Sequence, residues 1–130
     1  MVFGSFDPLH KGHRNLFQQA KKQGEYLIVV VARDETIRLL KKHEPSQPEE
    51  VRRKRVEEVA EVDSAVLGNP GDKYAIIQQH RPDIICLGYD QSFFVENLQK
   101  QLDKFQLPVK IVRLLPHHPD RFKSSKLRKE

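Results

Sequence analysis

The sequence predicts an α/β fold: one domain built on a doubly wound parallel sheet. Three observations predict it. Short apolar runs rich in Val, Ile and Leu recur at residues 1–3, 27–32, 65–67, 84–87 and 109–112. Several are continuous rather than alternating, as in parallel strands buried on both faces. Helix-like segments lie between them at 11–23, 48–62, 73–80 and 93–105, and such alternation implies parallel strands joined by right-handed crossovers. A chain of 130 residues fits one domain and not two.

Each element has a local reason. The first strand ends at Gly4, and a glycine there lets backbone approach a ligand closely. Gly24 follows the first helix at the position where a left-handed residue commonly ends one. The run 27–32 is the longest apolar stretch of the chain. A short helix then leads to Lys41 and Lys42 in a proline-flanked loop. Ser46-Gln47-Pro48-Glu49 reads as a capping box with proline in the first turn. At about 100° per residue, Val51, Val56, Val59, Ala60 and Val62 form one apolar arc with Arg52 near its middle. Cys86 reads as a small core residue of the fourth strand. Ligands of such sheets bind beyond the carboxyl ends of the strands, at the switch point. Functional residues are therefore expected in the turns after strands.

Composition excludes several classes. Hydrophobic residues make up 38% and charged residues 32%, too apolar for a disordered chain and too polar for a membrane protein. No run approaches the roughly 20 apolar residues of a membrane span, and no signal-like segment opens the chain. One cysteine excludes an internal disulfide and a multi-cysteine metal site, so the expected compartment is the cytoplasm. The net charge of +5 is localised. Residues 38–55 hold seven basic and three acidic side chains, and residues 117–130 hold five and two. Two basic segments suggest an anionic partner; the plain alternative is a solvated lysine-rich surface.

The chemistry concentrates in Gly4-Ser5-Phe6-Asp7-Pro8-Leu9-His10-Lys11-Gly12-His13. His10 and His13 lie three apart at a helix start and share one face. Gly12 keeps that face open. A helix N-terminus adds N–H groups and a positive dipole end, which favour phosphate. Two imidazoles aimed at one phosphate can stabilise charge developing on it. Taken alone, the pair also reads as a metal pair or as structural; the lack of an obvious third ligand weakens the metal reading. Arg52, on an inward face, needs a partner, either a ligand phosphate or an internal carboxylate.

The ten-residue turn matches the HxGH signature of the nucleotidyltransferase superfamily. Val31-Ala32-Arg33-Asp34-Glu35-Thr36, Pro48-Glu49-Glu50-Val51-Arg52-Arg53 and Leu87-Gly88-Tyr89-Asp90-Gln91 resemble segments of its cytidylyltransferase-like branch. The resemblance runs over essentially the whole chain and is closest to archaeal-type FAD synthases, then to glycerol-3-phosphate cytidylyltransferases. It implies a Rossmann-like nucleotidyltransferase fold. In that family the first strand is usually longer than three residues, so the central strand is expected either to start abruptly or to have been trimmed.

The resemblance also implies a reaction. A phosphate on an acceptor attacks the α-phosphorus of ATP or CTP, and pyrophosphate leaves. His10 and His13 would be catalytic. Gly4, Ser5, Phe6, Lys41, Lys42, Arg52, Gly88 and Asp90 would bind the nucleotide. Phe122-Lys123-Ser124-Ser125-Lys126-Leu127-Arg128 falls where the family keeps a triphosphate-binding motif, with Lys123 standing in place of its first serine. Ser124, Ser125 and Arg128 would hold the β- and γ-phosphates; a frayed basic tail is the alternative. Asp34 and Tyr89 would bind the acceptor. Tyr89 joins Phe93 and Phe94 in an apolar wall suited to a flavin, unless the phenylalanines only pack the next helix. Asp34 and Asp90 also read as helix caps. His117 and His118 receive no role. Mg²⁺ is expected to arrive with the nucleotide, without a protein-held metal site. The expected partners are a nucleoside triphosphate and a phosphorylated small acceptor. Membrane and nucleic acid are not expected, and a homodimer is allowed. The first choice of reaction is FMN plus ATP giving FAD; the second is formation of a CDP-alcohol such as CDP-glycerol. A non-catalytic nucleotide- or RNA-binding domain would leave the histidine signature unexplained.

Overall fold

The computed structural model describes residues 1–69, 72, 74–88 and 95–115. Five strands and five helices are described, in the order β1 (Val2–Gly4), α1 (Lys11–Lys21), β2 (Ile28–Val31), α2 (Asp34–Lys41), α3 (Glu49–Glu57), β3 (Ser64–Leu67), α4 (Ala75–His80), β4 (Ile84–Leu87), α5 (Val95–Phe105) and β5 (Lys110–Arg113). The strands pair in parallel as β1-β2-β3 and β4-β5. Two bonds bring these groups edge to edge: the Cys86 N–H donates to Met1 O at 2.9 Å, and the Met1 nitrogen donates to Ile84 O at 2.8 Å. The spatial order is therefore 3-2-1-4-5. The chain reverses direction across the sheet between β1 and β4, which makes that junction the switch point.

Strand side chains alternate between two buried layers, as a period of two requires. Val2, Val29, Val31, Ala65 and Cys86 face a layer formed by Phe17 and Ala20 of α1 and Val56 of α3. Val30, Ile85 and Leu87 face the opposite layer, with Ile76 and Ile77 of α4 and Leu98 and Leu102 of α5. This is why most of the strands read as unbroken apolar runs: both faces are covered. Cys86 is buried, as expected.

The observed strands lie within one residue of the predicted ones at each end, and β4 matches outright. The helix expected at 48–62 is shorter. It starts at Glu49 with Pro48 as its N-cap, makes no side-chain cap, and ends at Glu57. The capping box does not form because the N–H groups of Ser46 and Gln47 donate to the Asp7 carboxylate at 2.6 and 3.0 Å. Glu49 turns away to accept from the Asp34 N–H at 2.8 Å and from Arg33 at 3.2 Å. Val51 and Ala60, placed on the apolar arc, are exposed; the helix ends before Ala60. Helix α2 runs on through Lys41, and Lys42 closes it in the left-handed conformation, φ 58°. Among the described residues no helix is long and apolar enough to cross a membrane.

Candidate active site

The turn after β1 is held by unusual local chemistry. Phe6 adopts φ 52°, a left-handed value uncommon for an aromatic residue. Its ring folds back over Gly4, where a Cβ would come within 2.6 Å of the ring. The ring is 2% exposed, meets Phe17 at 5.4 Å and meets the His13 imidazole edge-on at 4.9 Å. Phe6 is thus a buried wedge beneath His13, and it also lines the cleft described below. Gly4 is required by that wedge.

The two histidines cap their own helix. His10 is the N-cap of α1, and its Nδ1 accepts from the Gly12 N–H at 3.1 Å. His13, three residues on, accepts at Nδ1 from the His10 N–H at 3.2 Å. This reciprocal pair is a capping box made of imidazoles, and it explains the three-residue spacing. The rings stack at 3.8 Å with 24° between planes. A Cβ on residue 12 would come within 2.9 Å of the His10 ring, so any larger residue would push that ring aside.

The same bonds fix the tautomers. An Nδ1 that accepts a backbone N–H carries no proton, so the proton of each neutral ring sits on Nε2. Among the described residues neither Nε2 has a protein partner. Burial, then the neighbouring His10 and Lys41, lower the His13 pKa from 6.5 to about 4. At neutral pH His13 is therefore an uncharged N–H donor at a helix N-terminus.

Arg52 stands on the other side of the turn. It is 0% exposed. Its Nε donates to Gln47 O at 2.9 Å, and one terminal nitrogen donates to Ser5 O at 2.9 Å and Ala32 O at 2.7 Å. The other terminal nitrogen meets Asp34 Oδ1 at 2.7 Å. The inward position was legible from the helical arc, but the partner is an internal carboxylate rather than a ligand phosphate. Arg52, expected to bind the nucleotide, and Asp34, expected to bind the acceptor, are paired with each other here. Asp34 opens α2 and spends its carboxylate on Arg52.

Lys41 reaches across to donate to Ser5 Oγ at 2.9 Å, while Lys42 is exposed. A cleft of about 520 Å³ opens over the carboxyl ends of β1 and β2. Ser5, His13 and Lys41 are among its lining, Gly88 closes its β4 side, and its remaining surface is mostly apolar. The structure thus gathers Gly4, Ser5, Phe6, His10, His13, Lys41 and Gly88 around one turn. Tyr89, Asp90, Ser124, Ser125 and Arg128, like Phe93, Phe94, His117 and His118, lie outside the described residues. Asp7, expected from the sequence to shape the first turn, does so by clamping residues 46 and 47, partners the sequence did not name. Its only signal was an aspartate in a turn, a residue type that often accepts from nearby backbone.

A doubly wound sheet with an anion-ready helix start and paired imidazole donors beside its switch point defines a nucleotide-handling α/β protein. The chain belongs to the cytidylyltransferase-like family, whose sequence profile matches residues 1–130. It is similar to the FAD synthase of Aciduliprofundum boonei, with 46% identity over 114 residues covering 88% of this chain and 76% of that one. It is 42% identical to the FAD synthase of Archaeoglobus fulgidus over 88% of this chain and 82% of that one. Among solved structures it resembles the lipopolysaccharide core biosynthesis protein from Thermoplasma volcanium GSS1. The TM-score is 0.84 at 42% identity, covering 90% of this chain and 95% of the other.

Proposed function

We propose that the chain is an FMN adenylyltransferase: it transfers AMP from ATP to FMN, forming FAD and releasing pyrophosphate. One structural observation carries the reaction type. His10 and His13 present two Nε2–H donors, locked by backbone bonds, at the start of α1. The FAD synthases at 42–46% identity support the choice of base and acceptor. Formation of CDP-glycerol from CTP is the less favoured alternative.

A phosphate oxygen of FMN attacks the α-phosphorus in line, and the bond from that phosphorus to the bridging oxygen breaks. Positioning and charge stabilisation carry most of such a transfer, so no covalent enzyme intermediate is needed. His10 and His13 donate to oxygens of the transferring phosphate, aided by the helix dipole. A neutral His13 does this without first losing or gaining a proton. Lys41 supplies a cation beside Ser5, and the backbone at Gly4, Ser5 and Gly88 lets the nucleotide approach. Ser124, Ser125 and Arg128 are proposed for the β- and γ-phosphates, Asp90 for the base and ribose, and Tyr89 for the acceptor.

Mg²⁺ is proposed to accompany the triphosphate. Among the described residues no group of three His, Cys, Asp or Glu could hold a metal ion. Asp7 and Asp34 are committed to Ser46, Gln47 and Arg52. These residues do not form a protein-held metal site, and none of the steps above is assigned to the ion. A cytoplasmic location is proposed with the activity.

The test is product formation. Purified chain is incubated with ATP or CTP against FMN, glycerol 3-phosphate and other phosphorylated acceptors, with pyrophosphate release and chromatography as readouts. FAD from FMN and ATP is expected. Production of CDP-glycerol without flavin turnover would replace this assignment with the alternative.

A further inference from the structure

The cleft has two chemically different ends. Ser5, His13 and Lys41 form a polar end at the turn after β1. The rest of the described lining runs over Phe3 and Val30 on the sheet and up the α2 wall through Thr36, Ile37 and Leu40. Thr36 brings the only side-chain hydroxyl to that second end, and no carboxylate or amide side chain joins the described lining. Leu40 is 53% exposed although it borders a cleft whose neighbouring wall residue, Ile37, is 2% exposed. An apolar side chain left in water on a cleft rim gains by being covered.

These features suit a large flat ring that asks for little hydrogen bonding along one edge, carried by a phosphate that needs a cation. Adenine fits less well, because discrimination of a base depends on polar groups that meet its edge. We infer that the α2 wall of the cleft, with Leu40 at its rim, is the seat of the isoalloxazine ring of FMN, and that Lys41 receives the acceptor's phosphate. This inference rests on the proposed FMN adenylyltransferase activity. It moves the acceptor's ring from the expected Tyr89 wall to Leu40 and Ile37, with Phe3 and Val30 as the floor. Leu40 becomes a specificity-determining residue. Its neighbour Leu39 is more exposed, at 72%, and does not line the cleft.

Steady-state kinetics on the full chain test this, with Leu40→Ala, Leu40→Gln and, as a control, Leu39→Ala. Both positions are exposed, so the three variants keep the fold, which circular dichroism verifies. Both Leu40 variants should raise KM for FMN about tenfold, the loss expected when a ligand no longer covers a leucine. KM for ATP should change less than about twofold, and Leu39→Ala should match wild type. Quenching of FMN fluorescence on binding should weaken in parallel. If wild type makes FAD but the Leu40 variants bind FMN normally, the ring seat is wrong and the activity stands. If they raise KM for ATP instead, the wall holds the base and the inference is overturned. If wild type makes no FAD at all, the activity and the inference fall together.

Discussion

Arg52 and the His10–His13 pair flank the same turn, yet their polar groups are spent in opposite ways. Arg52 is sealed from water, and its four hydrogen bonds end on Ser5, Ala32, Gln47 and Asp34. The imidazoles spend only Nδ1 on the protein and leave Nε2–H unpartnered among the described residues. Four of the five guanidinium N–H groups are committed to protein oxygens, so removing Arg52 strands several oxygens at once. A donor held rigidly but unspent is what charge developing in a transition state can use. A polar side chain that holds the fold and one that serves a site are distinguished by their remaining accessible donors, not by position.

The largest effect that would break this contrast is at Arg52. Arg52→Ala should lower the free energy of unfolding by about 3–5 kcal/mol, because Asp34 and three carbonyl groups lose their partner. Urea titration measures it. A well-folded Arg52→Ala protein of unchanged stability, with only triphosphate affinity reduced, would make Arg52 a phosphate-binding residue and not a structural one.

A smaller effect belongs to Asp7. Asp7→Asn keeps the size but loses charge-assisted acceptance from Ser46 and Gln47. The expected cost is about 1 kcal/mol, with faster amide hydrogen exchange at residues 46 and 47. Unchanged exchange at those two amides would remove Asp7 as the clamp.

An effect of similar size lies in the pH dependence of stability. The folded His13 has its pKa lowered, chiefly by burial, to about 4 from 6.5. Between those values the unfolded chain binds more protons than the folded one. Stability from this group is therefore full above about pH 6.5 and falls as pH drops toward 4. Discounted for partial exposure, the loss is about 1 kcal/mol. His13→Ala should flatten it, as unfolding at pH 7 and pH 4.5 would reveal. NMR titration of His13 with a midpoint near 6.5 would contradict the buried, neutral ring.

Much of the fold was legible because the signals are periodic. Short apolar runs, most of them continuous, marked all five strands, and β–α alternation marked the parallel order. The His10–Gly12–His13 spacing marked the turn. What was not legible depended on contacts distant in sequence. Ser46 and Gln47 read as the start of a helix, and Asp7, about forty residues earlier, takes their N–H groups instead. The arc placed Arg52 inward but could not name its partner, since Asp34 lies eighteen residues away on another helix. Phe6 read as part of a ligand loop, and nothing local announced that its ring also folds back over Gly4.

The most direct test of the central contrast is turnover of His13→Ala at saturating FMN and ATP, measured beside its unfolding free energy at pH 7. Losing one donor to a developing charge costs on the order of 10²–10³ in kcat. The account predicts a loss of that size, with ATP affinity nearly unchanged and stability within about 1 kcal/mol of wild type, the cost of losing one cap. A His13→Ala enzyme with near-wild-type kcat, or one whose inactivity merely follows unfolding, would contradict it.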